Sequence, residues 1–368
     1  MVDWQKVREE FPALQAWTFL NSATYGQLPR RAVAAVDAHF ARRDALACAD
    51  FMEWFDDADS IRASIARLIH CEAEDIAFIP NASTALSMLL HGLDWRPGDR
   101  IVTLEHEFPN HYYLPAVLRA RGVEFVETPM AGFYDAVNER TRVVLMSTIS
   151  YSTGFRPPVE EIGAHLRRKG VLFYLDGTQS VGALRFDVSR VQPDLFAVHG
   201  YKWLLAPNGA GFMYVSPALR ARLEPAVVGW RSHYEWRRPE NLHHGAPVFA
   251  GAAEKYEGAM LAFPVIYAMG ASVEMFLELG PEAIEARVLE LAAGVRRVLG
   301  DAGAEVLSDS PIVTARFPGR DAPAMVAALK GRGVLVAARQ GNLRVSAHFY
   351  NNEQDLARLA EALAAVCG

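Results

Sequence analysis

Cysteine is scarce in this chain. Only Cys48, Cys71 and Cys367 occur among 368 residues, with neither metal-site spacing nor a disulfide framework. That argues against a cystine-stapled secreted scaffold and for a reducing compartment, so a cytoplasmic location is expected. Long apolar runs are missing too. No stretch of about 18 apolar residues offers a membrane span, and the opening Met1-Val-Asp-Trp-Gln-Lys6 has no apolar signal core. Charge of one sign does not dominate: 37 Lys and Arg stand against 43 Asp and Glu, and no basic run stands out. Nucleic acid and anionic membranes are therefore not expected as partners. Several chemical signatures are also absent. The glycines at 209 and 211 lead into a strand-like run and not a helix, so they are not a nucleotide fingerprint. There is no nucleophile-elbow serine, no metal-spaced histidine pair and no paired-cysteine motif.

What is present is an ordinary globular composition, 51% apolar and 22% charged. Seven strand-like runs fall at 76–79, 101–104, 123–127, 143–147, 171–176, 194–198 and 209–215. Helical periodicity fills several of the gaps, at 84–92, 111–121 and 159–169, and precedes the first strand at 32–47 and 56–69. Such alternation predicts an α/β fold with a mostly parallel sheet. Residues 224–255, rich in Trp, Arg, His and Pro, read as an ordered excursion. A helix-prone stretch from 263 to about 300 follows. Short strands at 305–307, 312–317, 334–337 and 342–346, with helices at 322–332 and 351–367, then predict a smaller α+β unit. The expected division is a large domain over 15–255 and a small one from 1–14 and 256–368.

Two residues carry most of the chemical signal. Asp176 ends the run 171–176, and Lys202 follows the run 194–198. Both lie just past strand ends, where open α/β sheets bind ligands. A lysine there can form a Schiff base with an aldehyde, and a carboxylate can keep a pyridine nitrogen protonated. Together they are what pyridoxal 5'-phosphate (PLP) requires of a protein. Ser83 lies in the segment 80–84, which opens a helix after a strand and so suits a phosphate group. His199 and Tyr201 can donate to that phosphate from the other side. Phe108, with His106 as the alternative, is placed to stack on a ring. Arg344, near the end of a short strand, can clamp a carboxylate through its forked donors. Any one of these taken alone reads more simply as a cap, a core ring or a surface ion pair.

With those residues in view, the chain resembles the class V aminotransferase family, PLP enzymes of fold type I. That family includes cysteine desulfurases, selenocysteine lyases, kynureninases, isopenicillin N epimerase-like proteins and aminotransferases. The most specific pieces are Asp176-Gly-Thr-Gln-Ser-Val-Gly-Ala183 and His199-Gly-Tyr-Lys-Trp203. The resemblance implies that Lys202 is the covalent anchor, that Asp176 meets the ring nitrogen and that Gln179 meets the phenolic oxygen. It further implies phosphate contacts from Ala82, Ser83, His199 and Tyr201, ring stacking by Phe108, and an α-carboxylate at Arg344. Asn21, Tyr25 and Arg339 are candidates for further substrate contact, with His233 or His348 beside Arg339. A homodimer with active sites at the interface is also implied.

Three departures stand out. The desulfurases carry a mobile catalytic cysteine before the carboxylate-binding arginine, and 336–341 has none. The partner-subunit phosphate threonine of many members is replaced within 257–264 by Met260. Their asparagine near the phenolic oxygen is replaced within 150–154, where Tyr151 stands. The expected activity is transamination of an α-amino acid. C–S or C–Se β-elimination and epimerisation are the alternatives, the latter needing a second acid/base such as Tyr25, Tyr151 or His348. The non-enzyme alternative is a PLP-binding relative without turnover.

Overall fold

The computed structural model describes residues 2–238, 240 and 245–367. Its main feature is a seven-stranded sheet built from β2 (Ile76–Ile79), β3 (Arg100–Leu104), β4 (Glu124–Thr128), β5 (Thr141–Ser147), β6 (Leu172–Asp176), β7 (Leu195–His199) and β8 (Gly211–Val215). The strand β1 (Thr18–Phe19) lies outside it. The order across the sheet is β2-β8-β7-β6-β5-β3-β4. All neighbours run parallel except β8, which is antiparallel to both β7 and β2. A parallel return needs a long crossover, usually helical, and the short loop from β7 to β8 contains none.

Period-two alternation sorts the sheet's side chains onto two cores. Phe173, Leu175, Phe196, Val198, Val144 and Met146 face one layer, which the helices Glu53–Ile69, Val159–Lys169 and Phe263–Leu279 cover. Leu172, Tyr174, Leu195, Ala197, Val143 and Leu145 face the other, which the helix Ala82–His91 covers. Strands buried on both faces read as unbroken apolar runs, which is why the sequence displays them clearly. Each large side chain so buried contributes roughly 1.5–3 kcal/mol.

The C-terminal part has its own core, including Leu291, Val313, Met325, Leu343 and Leu359. Its four-stranded antiparallel sheet has the order β12-β13-β10-β9, formed by β9 (Glu305–Val306), β10 (Val313–Arg316), β12 (Ala337–Arg339) and β13 (Asn342–Val345). The remaining strand, β11 (Val334–Leu335), pairs in parallel with β1. The sequence predicts one strand over 334–337. The chain instead divides there, two residues going to β1 and three to the β12–β13 hairpin.

The sheet's β2 edge is closed by charge. Glu257 Oε1 accepts from the outward Phe78 N at 2.8 Å, and Arg62 Nη1 donates to Ile76 O at 2.6 Å. Arg62 and Arg231 both pair with Glu257, whose carboxylate is fully enclosed. Among the described residues no single helix is long and apolar enough to cross a membrane.

Candidate functional site

Five strands that run in one direction deliver the site. The segments beyond β2, β3, β5, β6 and β7 converge on a cleft of about 210 Å³. Asn81, Ala82 and Ser83 come after β2, Phe108 and Asn110 after β3, Ser147 and Tyr151 from β5, Asp176, Thr178 and Gln179 from β6, and His199, Tyr201 and Lys202 from β7. The eight predicted cofactor residues are thus brought together in one place.

Asp176 is buried, and its Oδ1 accepts from Thr178 N at 2.8 Å. Thr178 Oγ1 in turn accepts from His199 N at 3.1 Å, which ties the end of β6 to the end of β7. Lys202 is 7% exposed. Its Nζ lies 5.6 Å from the Phe108 ring centre and 5.3 Å from that of Tyr201. Burial pulls its pKa down to about 7. Asp176 opposes that shift, while the Arg344 and Arg339 guanidiniums add to it. The amine is therefore about half neutral near pH 7, the form that attacks a carbonyl carbon.

Asn81 caps the helix Ala82–His91, its Oδ1 accepting from Thr84 N at 2.9 Å. That cap relieves Ser83 of the role. Asn110 Nδ2 donates to Ser83 Oγ at 2.6 Å, so the serine's own hydrogen remains for a ligand. His199 is held neutral, since burial and then Lys202 lower its pKa to about 4. Its Nε2 is buried without a partner among the described residues. Gln179 is more committed. Its Oε1 accepts from Trp203 Nε1 at 2.9 Å and its Nε2 donates to Ala23 O at 3.1 Å, leaving one N–H. The residues fit a phosphorylated pyridine aldehyde: a neutral amine, an acid, a ring face, and unused donors at a helix N-terminus.

Behind the cleft sits a pair the sequence did not reveal. Glu107 Oε1 accepts from Ser147 N at 2.7 Å, and Glu107 Oε2 lies 3.2 Å from His111 Nδ1. Both side chains are buried. Burial disfavours the charged imidazole, but Glu107 outweighs it and raises the His111 pKa.

The substrate candidates gather beside the cleft. Arg344 is 1% exposed; its Nη1 donates to Tyr151 O at 2.6 Å and its Nη2 to Thr24 Oγ1. Arg339 reaches the same Thr24 hydroxyl. The Tyr25 ring packs edge-on to Tyr201 at 5.0 Å. Asn21 bridges to Ser346, and its Oδ1 is buried without a partner among the described residues. His348 is engaged elsewhere. Its Nε2 meets Trp203 O at 2.8 Å, its Nδ1 accepts from Phe349 N at 2.8 Å, and burial lowers its pKa to about 3. Neither ring nitrogen is free for proton transfer. His233 lies in the 224–255 excursion, its Nδ1 accepting from Val248 N. Thr24, Asn110 and Thr178 escaped the sequence reading. Only Thr178 left a local signal, two residues after Asp176 in an Asx turn.

The sequence model of the family described as aminotransferase class-V matches residues 18–359. The chain is 30% identical to isopenicillin N epimerase of Streptomyces clavuligerus, over 100% of this chain and 99% of the relative. It is 25% identical to a probable cysteine desulfurase of Methanothermobacter thermautotrophicus, over 99% and 98%. In structure it is similar to C-DES with glycine linked covalently to the PLP cofactor. The TM-score is 0.88 at 24% identity, covering 97% of this chain and 98% of the other.

Proposed function

The chain belongs to the class V aminotransferase family, and from that premise we propose that it is a PLP-dependent enzyme that transaminates an α-amino acid through Lys202. One observation carries this proposal: Lys202, partly neutral at pH 7, and Asp176 stand in the same cleft. When bound there, PLP supplies an electron sink for a broken Cα bond. Asp176 would hold a proton at the ring nitrogen. Phe108 would cover the ring, and Ala82, Ser83, His199 and Tyr201 would hold the phosphate. Lys202 Nζ is the group placed to move a proton at the substrate Cα. Arg344 would orient the α-carboxylate with its fork. We further propose a cytoplasmic homodimer, which fits the scarce cysteines and the exposed Met260.

Desulfurase chemistry is disfavoured. Among the described residues no cysteine lines the cleft, and a tight hairpin occupies the segment before Arg344. Epimerisation is the second reading, supported by the full-length likeness to isopenicillin N epimerase. Incubating the holoenzyme with single L-amino acids in deuterated water, without a keto acid, separates the two. Transamination gives a keto acid in an amount equal to the enzyme and a lasting loss of the cofactor's yellow absorbance. Epimerisation instead gives deuterated D-amino acid with the absorbance restored. A protein that acquires no absorbance band on adding PLP, or keeps it unchanged in a Lys202→Ala variant, refutes the proposal.

A further inference from the structure

Among the described residues five arginines are buried, and four of them have acidic partners. Arg62 and Arg231 pair with Glu257, Arg220 with Asp75, and Arg287 with Glu353. Arg344 has none within ion-pair distance among the described residues, and its Nε is buried without a partner among them. A second guanidinium, Arg339, stands beside it. Their Nη2 atoms lie 2.5 Å and 3.4 Å from the single Thr24 hydroxyl. Arg339 Nη1 finds only the carbonyl of Ala338, at 2.7 Å. Two cations beside Lys202 thus have only neutral acceptors, the Thr24 hydroxyl they share and the carbonyls of Tyr151 and Ala338, a costly arrangement unless a ligand neutralises it.

The backbone makes the juxtaposition durable. In the β12–β13 register Ala337 faces Arg344 and Arg339 faces Asn342, so both arginines project from the same sheet face. The connection is Gln340-Gly341, with φ of 48° and 76°, a tight two-residue turn of the type that holds a hairpin in register. The hairpin also reaches the segment that follows β3, Gln340 Nε2 lying 3.5 Å from His106 Nδ1.

An α-carboxylate neutralises one guanidinium. We propose, building on the PLP-enzyme reading above, that Arg339 receives a second carboxylate, so that the preferred substrates are α-amino dicarboxylic acids. Arg339 is then a specificity determinant and Arg344 the general carboxylate site.

The test uses the holoenzyme, with calorimetric binding of succinate and glutarate compared with butyrate and valerate of matching length. It is repeated with Arg339→Gln and Arg339→Lys, alongside kinetics on L-glutamate, L-aspartate and L-alanine. The expected result is tighter binding of the diacids to the wild type. Arg339→Gln then loses about tenfold to a hundredfold of that affinity. Its KM for the dicarboxylic amino acids rises likewise, while KM for L-alanine holds and Arg339→Lys recovers part of the loss. Equal weakening of mono- and dicarboxylates, or a wild type without preference, overturns the proposal. Because binding is read by calorimetry, it stays distinct from the enzymatic reading, which stands or falls on the absorbance of the Lys202-bound cofactor.

Discussion

A neutral lysine in a folded protein is a debt against stability, and Lys202 shows how its size depends on pH. An unfolded lysine titrates near 10.4, whereas burial brings Lys202 to about 7. Between those values the unfolded chain binds a proton that the native chain does not, so stability rises with pH across this window. Below pH 7 both states are protonated and the penalty is at its full extent, about 1.4 kcal/mol for each unit of depression. The cofactor-free Lys202→Met variant should therefore be more stable than wild type at pH 7. The margin should narrow steadily toward pH 10 in urea titrations. A margin independent of pH would mean that the lysine titrates normally.

The β12–β13 hairpin ranks highest among the elements, because it fixes Arg339 relative to Arg344. A side chain at Gly341, with φ of 76°, meets the left-handed penalty. Gly341→Val should cost about 1–2 kcal/mol in denaturant melts. Gln340→Asn, better suited to positive φ, should raise the melting temperature. Gly26 is constrained for another reason. A Cβ there would lie 1.9 Å from Lys202 O, and Gly26 N already donates to Tyr201 O at 2.9 Å. Gly26→Ala should displace the Lys202 loop and reduce kcat by more than tenfold, measured at saturating substrate and cofactor.

These elements also show what a sequence can reveal. β6 and β7 were legible because burial on both faces leaves unbroken apolar runs, and Asp176 and Lys202 because each follows such a run. The splitting of 334–339 between β1 and β13 was not legible. Nor was Thr24 as the shared acceptor, because its partners lie more than three hundred residues along the chain. Local pattern carries no record of such pairings.

At the scale of the whole molecule, the sheet edge at β2 depends on Glu257. Burial alone would raise its pKa, but Arg62 and Arg231 outweigh that and hold it below the ordinary carboxylate range. Its contribution is complete above the unfolded value near 4.3 and disappears as pH falls through the lower, folded value. Glu257→Gln removes the enclosed carboxylate that two buried guanidiniums share, leaving Arg62 only Asp59 at 3.5 Å and Arg231 only Glu254 at 3.7 Å, and should cost about 3–5 kcal/mol at pH 7. It should also expose the Phe78 edge to pairing with other chains. Urea melts together with light scattering would register both effects. An unchanged midpoint would show that the guanidiniums rehydrate.

The pairing of β1 with β11 has a consequence in time. Thr18 meets Val334 across nearly the whole chain. On a ribosome the strand β1 must wait, unpaired, until residues 334 and 335 emerge. The segment running on from it to Gly26 supports the lysine loop. The support of the Lys202 loop is therefore among the last parts to set, and its closure carries the entropy cost of a very long loop. A chain stalled short of residue 334 would hold a complete seven-stranded sheet with an unfinished site, a state in which cofactor capture would lag behind folding of the sheet.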